Sequence, residues 1–351
     1  MLKGVSESRS AFSIASGSVA DEPTEGSASR GRAPLQDHIG FVGVGHMGAA
    51  MAANLVAAGR QVIAYVRRAE QMKKLTALGI RPTMDIAAVY DCEFVITMLP
   101  DDAAVREVVF GRSDLGVDGL AKQLVPGAIH LSMSTISTAA SSEMASEHAR
   151  CGQGYVAAPV FGNPDAAKTR QLFVIAGGAA AEVERCRPIF DALGQQTFLV
   201  GSTPATANLI KLAGNAMSGA TLEILGEVLA LARKRGLDPH EILTILTGTM
   251  FGSRVHRIYG GKIAAQQYAA GGFVFPLALK DIQLALNEAE SAGVPMPSVS
   301  VVRDRLISGI ARGYSELDWS ALGLLAAEEA GLTLEPTAAA SSMLVDSKGE
   351  T

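Results

Sequence analysis

Cysteine is scarce in this 351-residue chain: Cys92, Cys151 and Cys186 stand far apart and form no C-x-x-C pair. That excludes a disulfide framework and a local zinc site, so the three read as small core hydrophobes of a reducing compartment, and no metal is expected. Positive charge is not in excess either. A formal charge of -5 gives no global attraction to nucleic acid or to an anionic membrane. No window of about 18 uncharged apolar residues exists, which argues against a transmembrane span. Periodicity is what residues 1–36 lack: they are rich in Ser, Ala, Gly and Glu, and they read as a disordered extension. A cytoplasmic location is expected. The Ser-rich start with Lys3 and Arg9 faintly suggests a mitochondrial transit segment as the alternative, against which stand Asp21, Glu22 and Glu25.

What remains is a folded protein, 48% hydrophobic and 19% charged, long enough for two domains of ordinary size. Residues 38–59, HIGFVGVGHMGAAMAANLVAAG, organise it. A short apolar run leads into Gly43-Val44-Gly45-His46-Met47-Gly48, which fits G-x-G-x-x-G, and Met47, Met51 and Leu55 then recur at helical spacing. The first glycine permits the tight turn, the second lets backbone approach a pyrophosphate, and the third lets helix pack on strand. A helix starting at about His46 aims its free N–H groups at the phosphates.

The next strand, residues 61–66, ends in Tyr65-Val66-Arg67-Arg68, where an NAD site would carry an acid for the ribose 2'-OH. Two guanidiniums suit a 2'-phosphate instead, so NADP(H) is expected over NAD(H). Further strands are read at 93–99, 127–133, 154–158, 172–176 and 197–200, the last two completing one doubly wound sheet. Strand C-terminal ends carry the ligand loops in such a sheet, which places Leu99-Pro100 and Ser134-Thr135 beside the cofactor.

From Pro204 the pattern becomes helical. Residues 206–235 contain no proline and carry apolar residues on a 3.6 period, a helix of about 45 Å at about 1.5 Å per residue. Gly214, Gly219 and Gly226 would be tolerated there where a neighbour needs close approach. Helices broken by Gly and Pro, among them Gly260-Gly261, follow to about residue 331. The domain reading is therefore 37–202 for a Rossmann-type nucleotide-binding domain, 203–332 for an all-helical substrate and oligomerisation domain joined through the long helix, and 333–351 for a flexible tail. Apolar residues around much of that helix suggest a homodimer or homotetramer.

Lys211 and Asn215 lie four apart on the long helix, hence on one face and in reach of each other. The helix begins just after the last strand, so its first turns cross the interface where clefts form. Reduction of a carbonyl builds negative charge on oxygen, and a lysine whose pKa is lowered by desolvation can donate the proton.

Taken together, IGFVGVGHMGAAMAANLVAAG, SMSTIS, APVFGNPDAA, IKLAGNAM and LALKDIQLAL, in that order, resemble the β-hydroxyacid dehydrogenase family over about residues 38–331. That group contains 3-hydroxyisobutyrate dehydrogenase and glyoxylate/succinic semialdehyde reductases, with 6-phosphogluconate dehydrogenase and imine reductases at greater distance. The resemblance implies a catalytic role for Lys211 supported by Asn215. It implies a substrate-facing Ser134, with Thr135 on the nicotinamide side, and cofactor contacts from Leu99, Pro100, Lys280 and Arg67. Phe273 falls where an aromatic borders the substrate. Phe161, Gly162 and Asn163 belong to the loop that frames a substrate carboxylate.

Two departures qualify what is implied. Ser132 stands where D-x-S-T members have an acid, and Phe161 and Asn163 replace the serine and a glycine of P-V-S-G-G. A bulkier, less polar pocket follows. The expected activity is NADP(H)-dependent interconversion of a small aldehyde or keto acid with the hydroxy acid. Imine reduction and a non-catalytic NADPH-binding module are the alternatives.

Overall fold

The alternation of apolar runs with amphipathic stretches becomes an alternation of strands and helices in the computed structural model, which describes residues 35–112, 116–269 and 272–333. Most of the expected N-terminal extension and of the C-terminal tail lies outside the described residues. β1 (Leu35–Val42) turns into α1 (His46–Ala57), followed by β2 (Gln61–Tyr65), α2 (Glu70–Thr76), β3 (Arg81–Thr83), β4 (Cys92–Thr97) and α3 (Asp102–Phe110). A small hairpin of β5 (Gly111–Arg112) and β6 (Val117–Asp118), then α4 (Leu120–Gln123), precede β7 (Ile129–Ser132), α5 (Thr138–Arg150) and β8 (Gly154–Ala157). Six strands pair in the order β3-β2-β1-β4-β7-β8, all parallel. This is the order of a doubly wound Rossmann-type sheet.

Alternate residues of each strand feed opposite cores. Ile39 and Phe41 of β1 pack with Met51 and Leu55 of α1, while Val42 joins Val95, Val105, Leu120 and Met144 on the other face. β3 escapes a sequence reading because its three residues, Arg-Pro-Thr, form no apolar run; proline is tolerated there because the strand lies at the sheet edge.

The chain then departs from expectation. β9 (Val160–Phe161), α6 (Pro164–Lys168), β10 (Leu172–Ala176), α7 (Ala180–Leu193) and β11 (Gly194–Leu199) build a second sheet in the order β11-β10-β9, and do not extend the first. β9 turns back antiparallel onto β10, so β10 does not take the parallel seat beside β8; an isolated bridge between Ala157 and Gly177 joins the two sheets. An apolar run such as LFVIA specifies burial, and it says nothing of which neighbour covers it.

Beneath the β4 and β7 ends runs a buried polar chain. Gln153 donates both amide hydrogens, to the Ala121 and Leu124 carbonyls, so its Oε1 accepts from His148 Nδ1 at 2.7 Å. His148 Nε2 therefore accepts from His130 Nδ1 at 2.9 Å, and His130 Nε2 accepts from the Thr97 hydroxyl at 2.9 Å. Burial pushes both imidazoles below the usual histidine range, His130 well below it. Protonating His148 would set its Nε2–H against the His130 Nδ1–H, and a charge on the fully buried His130 would be desolvated beside it, so the neutral pair holds the end of β4 in place.

The rest is helical: α8 (Pro204–Lys234), α9 (Pro239–Thr247), α10 (Arg254–Ala264), α11 (Phe275–Ser291), α12 (Pro297–Ala311) and α13 (Leu322–Glu329). Proline in the first turn starts α8, α9, α11 and α12, where its missing N–H costs nothing. α8 packs closely on its neighbours, Gly219 against Ile282 and Val302 and Gly226 against Gly323. The expected break at Gly260-Gly261 is absent: both lie inside α10, and Gly260 is pressed on Leu243. Among the described residues no helix is long and apolar enough to cross a membrane.

Candidate active site

The parallel register sets one rim. Tyr65, Val42, Thr97 and Ser132 are successive partners across β2, β1, β4 and β7, so the loops that follow them emerge side by side. After β1 comes the glycine turn. Gly43 has φ +103, and a Cβ there would collide with the Met98 carbonyl; one at Gly48 would collide with the carbonyl of Gly43. The turn can only be this tight with both as glycine. Gly45 faces open space, no side chain caps the N-terminus of α1, and His46 is exposed while Met47 is half-buried. Uncapped N–H groups before an open space fit a dinucleotide pyrophosphate. Arg67 and Arg68 follow β2 and are both exposed.

The loops after β4 and β7 are tied together by acids and hydroxyls. Asp101 caps α3 by accepting from Ala104 N at 2.8 Å; Asp102 accepts from Ser137 N at 2.9 Å and from its hydroxyl at 2.5 Å. Ser134, expected to face substrate, is fully buried instead. Its hydroxyl accepts from Leu99 N at 2.8 Å and donates to the Thr97 carbonyl at 3.3 Å, which fixes the Leu99-Pro100 loop. Thr135 is half-buried, and its carbonyl accepts from Lys280 Nζ at 2.6 Å.

Lys211 stands in the second turn of α8, at the edge of the same rim. Its Nζ donates to Asn215 Oδ1 at 3.1 Å, and Asn215 Nδ2 donates to Asp281 Oδ2 at 2.5 Å. Asp281 Oδ1 forms an ion pair with Lys280 Nζ at 2.6 Å. One buried carboxylate on α11 thus orients the asparagine and holds the second lysine. Burial pulls the Lys211 ammonium down to about 8; Asp281 works against that shift and Lys280 adds to it. A lysine at that value gives and takes protons near neutral pH.

Phe161 lies at the end of β9, its ring centroid 4.6 Å from Lys211 Nζ. Gly162 is exposed, with φ +143, and Asn163 spends its Oδ1 on capping α6, accepting from Ala166 N at 2.9 Å. Phe273 is directed elsewhere: its N–H donates to Asp318 Oδ2 at 3.1 Å and its ring stands edge-on to Trp319, with centroids 5.1 Å apart. Asp281 is the site residue that the sequence reading missed. Its signal was in plain view, since it follows Lys280 directly in LALKDIQLAL. Among the described residues no group of three His, Cys, Asp or Glu is placed to hold a metal.

This arrangement, a nucleotide-binding rim facing a buried lysine on a following helical region, defines an NAD(P)-dependent oxidoreductase. Residues 38–201 match the NAD binding domain of 6-phosphogluconate dehydrogenase, and residues 205–326 match the NAD-binding family of NADP-dependent 3-hydroxyisobutyrate dehydrogenase. The chain belongs to the β-hydroxyacid dehydrogenase family, whose members are NAD(P)-dependent dehydrogenases acting on CH–OH groups. It is 38% identical to the uncharacterized oxidoreductase YfjR of Bacillus subtilis strain 168, over 81% of this chain and 98% of that one. It is 31% identical to 2-hydroxy-3-oxopropionate reductase of Escherichia coli K12, over 81% and 95%. Among solved structures it is similar to Mycobacterium tuberculosis 3-hydroxyisobutyrate dehydrogenase with L-serine, with a TM-score of 0.72, 25% identity, and coverage of 82% of this chain and 98% of that one.

Proposed function

We propose that this chain is an NADPH-preferring reductase of a small aldehyde or keto acid, running in reverse as a hydroxy-acid dehydrogenase, with Lys211 as the proton donor. The observation that carries this reading is the chain of buried Lys211, Asn215 and Asp281 and half-buried Lys280 beside the nucleotide rim. When bound, NADPH supplies the hydride to the carbonyl carbon. The π pair moves onto oxygen, which takes the proton from Lys211 Nζ, and solvent returns a proton to the lysine. Asn215 holds the ammonium in direction, and Asp281 holds Asn215. The turn at residues 43–48 would cradle the pyrophosphate, and Arg67 and Arg68 would grip the 2'-phosphate.

The cofactor preference is testable alone. The double variant Arg67→Ala/Arg68→Ala is expected to lose roughly 10²-fold in kcat/KM for NADPH, since hydrogen bonds to charged groups contribute about 1.5–3 kcal/mol each. NADH should change only a few-fold. A wild-type enzyme that prefers NADH would contradict the assignment.

We further propose that α8 pairs with a second copy of the chain. Ile210, Met217, Ile224 and Leu231 recur every seven residues and are 37%, 73%, 52% and 61% exposed. That spacing keeps them on one side of the helix, as a seam between helices requires, and an isologous contact lets the same stripe meet itself. Light scattering should give a dimer or tetramer, and Met217→Asp/Ile224→Asp should shift it to monomer; a monomeric wild type would refute the pairing.

A further inference from the structure

The surroundings of Lys211 carry an inference about which carbonyl compounds it meets. Lys211, Gly214 and Asn215 share one face of α8, and the Phe161 ring is set down on that face. A Cβ at Gly214 would collide with the ring, so the glycine is what lets it lie there. The backbone at Phe161 is fixed as well, by its antiparallel pairing with Phe173 of β10. The neighbouring polar groups are already committed: the Ser134 hydroxyl to the Leu99 and Thr97 backbone, the Asn163 Oδ1 to α6, and Lys280 to Asp281 and the Thr135 carbonyl. The wall beside the proton donor is therefore an aromatic face. Its negative quadrupole attracts the Lys211 ammonium and disfavours a carboxylate, which would be desolvated there while Lys211 is engaged by the reacting oxygen, and its apolar surface packs with an apolar group by burial and dispersion.

We propose that Phe161, seated on Gly214, is a specificity-determining residue that selects aldehydes and ketones bearing an aromatic or branched apolar group beside the carbonyl over those bearing a carboxylate there. This rests on the reductase reading and narrows it, setting compounds with a carboxylate directly beside the carbonyl below the small aldehydes and leaving acids with a more distant carboxylate within it. The balance is that of the parent reaction: the carbonyl gains two electrons and two protons as hydride plus proton, and NADPH is oxidised to NADP+.

The test compares phenylacetaldehyde with glyoxylate in wild type, Phe161→Ser and Phe161→Leu, with Lys211→Met as control. Wild type should favour phenylacetaldehyde by tenfold or more in kcat/KM. Phe161→Ser should reverse that ratio, with the two substrates' KM values moving in opposite directions, and Phe161→Leu should keep it. Calorimetric binding of the two alcohols, 2-phenylethanol and glycolate, to the NADP+-loaded protein should show the same order without turnover. A wild type that favours glyoxylate, or a ratio unmoved in Phe161→Ser, overturns the proposal and leaves the reductase reading standing. No Lys211-dependent turnover of either aldehyde overturns both.

Discussion

Replacing Lys211 by methionine is expected to lower kcat for carbonyl reduction by roughly 10²–10⁴-fold, the usual contribution of a positioned general acid. Methionine fills much the same volume and carries no proton. Dinucleotide affinity should persist, because the glycine turn and the arginines lie on other elements. The fold should become more stable near neutral pH, not less. Burial holds the ammonium at about 8 against an ordinary 10.5, which corresponds to roughly 3 kcal/mol against the charged form. The sign follows from linkage: the unfolded chain binds this proton more tightly than the native one, so the cost is complete below about pH 8 and fades as pH rises towards 10.5. A melting temperature that rises at pH 7 while turnover collapses would mark a residue kept for chemistry. A structural lysine would give the opposite, a lower melting temperature with turnover kept in the surviving folded protein.

Asp281→Asn is expected to cost roughly 10²-fold in kcat/KM, the scale of misplacing a catalytic group by about 1 Å. Asparagine can still accept from Asn215, but it cannot neutralise Lys280 or Lys211. Because the Asp281 charge raises the Lys211 value, its loss moves that value further down. Less of the lysine is then protonated at a given pH, so the deficit in reduction should widen as pH rises from 6 to 8. A uniform loss across that range, with the profile unshifted, would make Asp281 a structural contact only.

Much of this site was legible from spacing. The glycine turn declared itself because a tight strand-to-helix turn leaves no other residue type, and Lys211 with Asn215 because a four-residue interval on a helix is a contact. Asp281 was not, since it sits 66 residues beyond Asn215 and a carboxylate next to a lysine usually marks a solvated surface. Ser134 and Asn163 show a different limit. Their side chains are short, and backbone partners that appear only when loops close, Leu99 N for one and Ala166 N for the other, claim them first. In the fold, the parallel order of the main sheet followed from alternation of strand and helix. The separate seat of β10 did not, because it depends on the reversal at β9.

The most direct test of the account is the pH dependence of kcat/KM for NADPH-driven reduction, which reports the free enzyme's essential acid. The rate should be level below about pH 8 and fall about tenfold per unit above it, as Lys211 loses its proton. The reverse oxidation, which needs the neutral amine, should rise to a plateau through the same pH. In Lys211→Met the limb near pH 8 should vanish from the residual activity. Reduction that stays level to pH 10, or an unchanged limb in that variant, would contradict Lys211 as the proton donor.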